Sequence, residues 1–360
     1  MLMNSQNVPT VRTEILAGIR AATTGIDLHR YMQSAVELEH ATIPPYLTAY
    51  YSIARGSNDA IARIVLSVVK EEMLHMTIAA NVLNAIGGSP VINKPDFIPT
   101  YPGTLPMSVD GGLVVGLAPF SYDLIENVFM RIELPEHPLA LTATRELEFN
   151  TIGEFYDAIK AQIRTLGEEI FTGDKSRQVV DNTWFPACQL FSVHDVESAI
   201  RALDVIILQG EGWSHDPWDR FGQPAHYYRF QQIVKQHFLV KNPDGTSTFT
   251  GPAIPFEPHD VIPLLTNSAP NDYAPGTPAR DGVNQADYTY TTLLNALHQT
   301  FNGDPSNLKR AIGLMYELKL VIDQKVINQP TPAGPFKGQF AAPSFRYTPF
   351  YTTADSQAAV

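Results

Sequence analysis

The segment Lys70-Glu71-Glu72-Met73-Leu74-His75 limits what this chain can fold into more than any other. It lies in a run with helical periodicity, residues 60–85, closed by Gly87-Gly88-Ser89-Pro90, a strong helix terminator. The stripe Val65, Val68, Glu72, Met76, Ala79, Leu83 on that helix is apolar except for Glu72. A carboxylate on such a face enters a core, where an unpartnered charge costs several kcal/mol. The fold must therefore bring it a base or a metal ion. His75, three residues on, lies on the same side of the helix. Lys70 is off the stripe.

The preceding helix, expected over 28–54 with Thr24 or Asp27 as its cap, repeats the pattern. Met32, Ala35, Glu39, Thr42 and Tyr46 share a face that is apolar or small apart from Glu39. Glu37 falls with Arg30, Gln33 and His40 on a polar face that reads as solvated. Gly56-Ser57-Asn58 turns the chain and Asp59 is placed to cap the second helix, so the two helices form an antiparallel hairpin. That hairpin offers Glu39, Glu72 and His75 to one interior, near the middle of both helices.

Residues 91–116 are rich in Pro and Gly and read as an irregular crossover. A short helix is expected over 121–132, ended by Leu134-Pro135. A third long helix, capped by Thr151, is expected over 152–171 and a fourth over 193–210. A loop with Trp213, His215 and Trp218 leads to a helix over 225–238. Four long helices with one long connection between the second and third make a four-helix bundle. Residues 239–284 are dense in Pro, with Asp244-Gly245 placed as a hairpin turn. Helices over 286–301 and 305–327 follow, then a Pro- and aromatic-rich tail. The expected organisation is mainly α: a helical bundle domain over 1–238, and over 239–360 a Pro-rich segment with two helices and a partly extended tail packed on the bundle.

The second half of a metal site is less explicit. Glu154 lies in the first turn of the third helix, where the helix dipole alone favours an acid. Glu211 lies at the end of the fourth helix, where the dipole disfavours one. Antiparallel packing would bring the two together. Glu126, Glu133 and Asp204 are reserve carboxylates. A second imidazole comes from either His215 or His226, the latter favoured because it starts a helix able to fold back after Gly210 and Gly212.

Composition excludes other classes. The balance of 25 basic against 37 acidic residues, net −12, is the wrong sign for a general nucleic-acid or anionic-membrane binder. Charged residues are only 17%, a thin charged skin that fits a large buried fraction or a homo-oligomer. The single Cys188 forms no intrachain disulfide or Cys-based metal site and reads as a small buried hydrophobe. No apolar run reaches the roughly 18 residues of a membrane span, and Met1 to Gln6 carry no secretory signal pattern. A soluble cytoplasmic protein is expected. Gly-x-Gly-x-x-Gly, phosphate-loop and Gly-x-Ser-x-Gly motifs are lacking, so nucleotide chemistry and serine hydrolysis have no support.

Several strings together carry a resemblance: Leu38-Glu39-His40-Ala41-Thr42-Ile43-Pro44-Pro45-Tyr46-Leu47, Glu71-Glu72-Met73-Leu74-His75-Met76, Asn81 to Gly88, Thr151 to Tyr156, and Gln209-Gly210-Glu211-Gly212. From about 28 to 238 the chain resembles the ferritin-like domain of the iminophenyl-pyruvate dimer synthase family, which acts in violacein- and rebeccamycin-type bisindole biosynthesis by oxidatively coupling amino-acid-derived imines. The pathway synthases are longer, and this chain looks like the domain standing alone. The resemblance implies a ferritin-like fold with Glu39, Glu72, His75, Glu154, Glu211 and His226 as metal-ligand candidates. Carboxylate-rich sites suit iron, as a di-iron pair, with manganese or a single metal as alternatives. The expected activity is non-haem oxidation of a small amino-acid-derived or aromatic substrate with dioxygen or peroxide. Iron handling without substrate chemistry, or a scaffold with a decayed site, are the competing readings.

Overall fold

The computed structural model describes residues 11–108, 112–135, 151–210, 212, 216–331 and 338–349. Its helices are α1 (Val11–Arg20), α2 (Gly25–Tyr51), α3 (Asp59–Ala85), α4 (122–132), α5 (Ile152–Leu166), α6 (Val196–Gly210), α7 (His226–Lys235), α8 (Pro278–Phe301) and α9 (Leu308–Val321). α4 has a π-helical turn, Ile125–Phe129, between two short α-helical ends, and a second π turn, Ile322–Val326, follows α9. Two small antiparallel ribbons complete the fold: β1 (Gly103–Thr104) with β2 (Val114–Val115), and β3 (Val240–Lys241) with β4 (Ser247–Thr248) across the Asp244-Gly245 turn.

α2 and α3 pack along their whole length, α5 pairs with α6, and α3 and α2 close the bundle against α6 and α5. This is a four-helix bundle with its long connection between the second and third helices. The helix starts follow local chemistry. Thr24 and Asp27 form a capping box for α2, and Thr151 with Glu154 forms one for α5. Ser121 caps α4. α2 continues through Pro44 and Pro45, whose missing N–H groups free the carbonyls one turn back. Tyr101 Oη donates to the freed Ala41 carbonyl at 2.6 Å, so the crossover supplies one of the bonds the prolines remove.

Four expectations are corrected. Asn58, not Asp59, occupies the N-cap of α3, in the left-handed region at φ 50°; its side chain bonds both the carbonyl and the N–H of Glu257 instead of capping. α5 stops at Leu166 because Gly167, at φ 73°, turns the chain away. His40 is buried rather than solvated, because α8 covers that face of α2. Cys188 is exposed: it lies in an irregular stretch between α5 and α6 that presents residues 186–188 to solvent. α8 lies against α9 and α3, with Asn84 donating to the Phe301 carbonyl at 2.7 Å.

Candidate metal centre

At mid-height of the bundle α2 and α3 present Glu39, Glu72 and His75 inward, all at most 5% exposed. The chain then brings His226 to them from the start of α7. Gly212 makes that return, at φ 87° with no room for a Cβ beside the Asp216 carbonyl. The loop is tied by the buried Asp219, which accepts the N–H groups of Phe221 and Gln223, and by Ala225 N–H to the Pro217 carbonyl. Glu133, just past α4, arrives on the same side, 6% exposed.

The cluster has an approximate twofold pattern about Glu72. One oxygen, Oε2, lies 3.9 Å from His75 Nδ1; the other, Oε1, lies 2.9 Å from His226 Nδ1. Glu39 Oε2 is 3.5 Å from His75 Nδ1, and Glu133 Oε2 is 3.4 Å from His226 Nδ1. The outer oxygen of each flanking carboxylate accepts a tyrosine hydroxyl, Tyr156 on Glu39 and Tyr46 on Glu133. The two imidazoles stack with centroids 5.3 Å apart. Their outer nitrogens are also anchored: His75 Nε2 donates to Gln209 Oε1 at 2.9 Å and His226 Nε2 to Glu71 Oε2 at 3.0 Å. Those partners are oxygens that only accept, so Nε2 donates in both rings and Nδ1 is the nitrogen that faces the carboxylates.

This arrangement fits a cation. His226 Nδ1 is fully buried and makes no hydrogen bond, although Glu72 Oε1 is within ion-pair distance. The two atoms approach without hydrogen-bond geometry, and a cation between them would engage both. Glu72, His75 and His226 each offer an atom within 4.8 Å of the others. The cluster's electrostatics ask for positive charge. Burial and the neighbouring Glu133 carboxylate push Glu72 well above the carboxylate range, against the pull of His226. Burial disfavours a charged His226, yet Glu133, Glu71 and Glu72 outweigh it and raise its pKa well above the usual value. Burial, Glu133 and Glu72 drive the Tyr46 hydroxyl upward, which keeps it a neutral donor. Glu71 differs. Burial pushes it up, but His226 and Arg229 prevail and hold it down to about 2. A hard, carboxylate-rich donor set with two imidazoles suits iron or manganese.

Beside the cluster lies a small cavity of about 20 Å³, little more than the room one water needs. Leu38, Ile132, Ile152, Ile206 and Ile207 form its apolar wall and Glu39, Glu72, His75, Glu133 and Tyr156 its polar end.

Of the six sequence candidates the structure brings together Glu39, Glu72, His75 and His226. It places Glu154 in the capping box of α5, accepting the Thr151 N–H at 3.1 Å, away from the cluster. Glu211 lies outside the described residues, as do Trp213 and His215. Among the reserves, Glu133 is in the cluster, Glu126 is exposed, and Asp204 pairs with Lys160 at 2.6 Å. Sequence reasoning missed Glu71, Gln209, Tyr46 and Tyr156 as supporting groups. One signal was present for Glu71: His226 and Arg229, three apart on one helix face, form a basic pair that calls for an acid.

Comparison with known proteins agrees with the architecture. A solved structure described as a ferritin-like protein from Caulobacter vibrioides superposes with a TM-score of 0.55, covering 89% of this chain and 97% of that one, at 22% identity. Dichlorochromopyrrolate synthase of Lentzea aerocolonigenes is 22% identical over 94% of this chain, which spans 37% of that protein's length. The ferritin-like profile matches residues 32–235, more than half of the chain and nearly all of the bundle, so this protein belongs to the ferritin-like family.

Proposed function

We propose that this protein is a non-haem metal oxidoreductase whose buried cluster holds two iron ions and acts on a small amino-acid-derived or aromatic substrate. The observation that carries the reading is Glu72, which extends one oxygen toward each of two imidazoles whose other nitrogens are already engaged. Glu39 and His75 would hold one ion, Glu133 and His226 the other, with Glu72 between them. A bound pair of redox-active ions would supply electrons and a position for dioxygen or peroxide. The chain's own residues do the rest. Tyr46 and Tyr156 keep one oxygen of each flanking carboxylate occupied, which orients the other toward the cluster. The isoleucine wall limits water around the cluster. The similarity to a protein named dichlorochromopyrrolate synthase supports a substrate of that general kind, and the family resemblance supports oxidative coupling. The acidic surface and the lack of a membrane-crossing helix among the described residues accord with a small-molecule partner.

The test is elemental analysis of protein purified without chelator, followed by oxygen uptake with and without aromatic imino acids. Two iron ions per chain and substrate-dependent uptake are expected. Iron with uptake indifferent to substrate would favour iron handling, and a metal-free protein that takes up none would favour a scaffold.

A further inference from the structure

The two halves of the cluster match in every group but one. Each has a flanking carboxylate held by a tyrosine, and each shares Glu72. The difference lies behind the imidazoles. His75 is backed by the neutral amide of Gln209. His226 is backed by the carboxylate of Glu71, itself fixed by Arg229 Nη2 at 3.0 Å. Arg229 is locked in turn, its Nε donating to the Pro224 carbonyl at 2.7 Å and Nη1 to Ser67 Oγ at 3.1 Å. A carboxylate accepting the imidazole N–H makes the opposite nitrogen a stronger donor to a metal and fixes its orientation, an effect of about 10- to 100-fold in metal affinity. An amide carbonyl does so less. The His226 half is also the more compact, with Glu72 and Glu133 at 2.9 and 3.4 Å from Nδ1 against 3.9 and 3.5 Å for Glu72 and Glu39 on His75.

We propose that Glu71 is a positioning residue that makes the two metal positions unequal, so that the position at His226, Glu133 and Glu72 fills first and the position at His75 and Glu39 fills second. The inference rests on the reading of the cluster as a two-metal site. Its consequence is a protein that passes through a singly loaded state, in which the half beside Glu39 and Tyr156 is the exchangeable one.

The experiment is a titration of metal-stripped protein with Mn²⁺ and, separately, Co²⁺, followed by calorimetry and by the Co²⁺ visible spectrum. Two steps are expected, separated by about 10-fold or more in affinity. Glu71→Gln keeps the shape of the side chain and should weaken the first step about 10- to 100-fold while leaving the second nearly unchanged. Gln209→Glu should do the reverse and tighten the second step. Circular dichroism of each variant checks the fold, and Gln209→Glu provides the answer should Glu71→Gln fail to fold. A single step of two equivalent ions, or equal weakening of both steps in Glu71→Gln, overturns this inference and leaves the two-metal reading standing. Absence of any binding to the unmodified protein overturns both.

Discussion

Glu39 and His40 are neighbours on α2 and face two different buried polar clusters. On the Glu39 side Glu39, Glu72 and Glu133 converge with two imidazoles, and His226 Nδ1 makes no hydrogen bond. On the His40 side His40 Nδ1 also makes no hydrogen bond, but no carboxylate crowds it and the other polar groups largely satisfy one another. His40 Nε2 and Tyr290 Oη lie 2.5 Å apart, and burial presses the imidazole pKa down to about 3, so the ring is neutral. Asp287 on α8 accepts Ser344 Oγ at 2.6 Å and the Arg346 N–H at 3.1 Å, which fastens residues 344–348 to the helix. Thr348 N–H adds a bond to Thr291, and Phe345, at φ 48°, packs its ring edge-on to Tyr290. Both clusters are buried and polar. The contrast separates a fastening from a candidate binding site. Where donors and acceptors largely pair and the imidazole is neutral, the cluster holds structure together. Where carboxylates crowd imidazole nitrogens and outnumber the donors, the cluster is suited to a cation.

The strongest way to break this contrast is Glu72→Leu. Metal stoichiometry should fall from two to none, because both positions share that side chain. The metal-free variant should be as stable as the parent or more so, by up to ~4 kcal/mol, since an apolar residue replaces a buried, crowded carboxyl group. Inductively coupled plasma analysis and urea unfolding of stripped protein read the two effects. Full retention of metal would move the site elsewhere.

Asp287 sharpens the contrast through pH. Burial raises its pKa from 3.8 to about 7, against the opposing bonds from Ser344 and Arg346. Between those values the folded state binds the proton more tightly than the unfolded chain, so this group's contribution to stability is fully present below about pH 4 and falls as pH rises to about 7. Tyr290 and Tyr273 face it from α8 and the preceding loop and stay neutral in this window, and the Arg346 guanidinium on the tail opposes the rise. The stability difference between parent and Asp287→Asn should therefore change by at most ~4 kcal/mol over that range and be flat above it. Urea unfolding of stripped protein at half-unit intervals would show a flat difference throughout if the account is wrong.

His40→Leu is the matched control to Glu72→Leu. It leaves Tyr290 Oη without its imidazole and should cost about 1–3 kcal/mol, with two metal ions still bound. Loss of metal would make the two clusters one system. The smallest effect is expected for Cys188→Ser: the thiol is exposed, so the unfolding free energy should stay within about ±0.5 kcal/mol.

The hairpin of α2 and α3, and the inward placement of Glu39, Glu72 and His75, were legible from periodicity, because a 3.6-residue repeat decides which side chains share a face before any partner exists. Glu154 misled for a related reason: a first-turn acid serves a capping box and a metal site equally well in sequence, and Thr151 claimed it. His40 misled because its face is polar by composition, while burial depends on α8, some 250 residues away.

Local features were therefore readable in the chain alone: the helices, most of their caps, the hairpin, and the demand for a counter-charge that a carboxylate on an apolar stripe creates. The tertiary structure decided which groups answer that demand. Glu133 enters through the end of a π-bulged helix, His226 through a glycine-hinged loop, and Glu71 becomes a support only because Arg229 docks against it. Those positions depend on contacts between segments far apart in the chain, and no local repeat encodes the distances on which coordination depends.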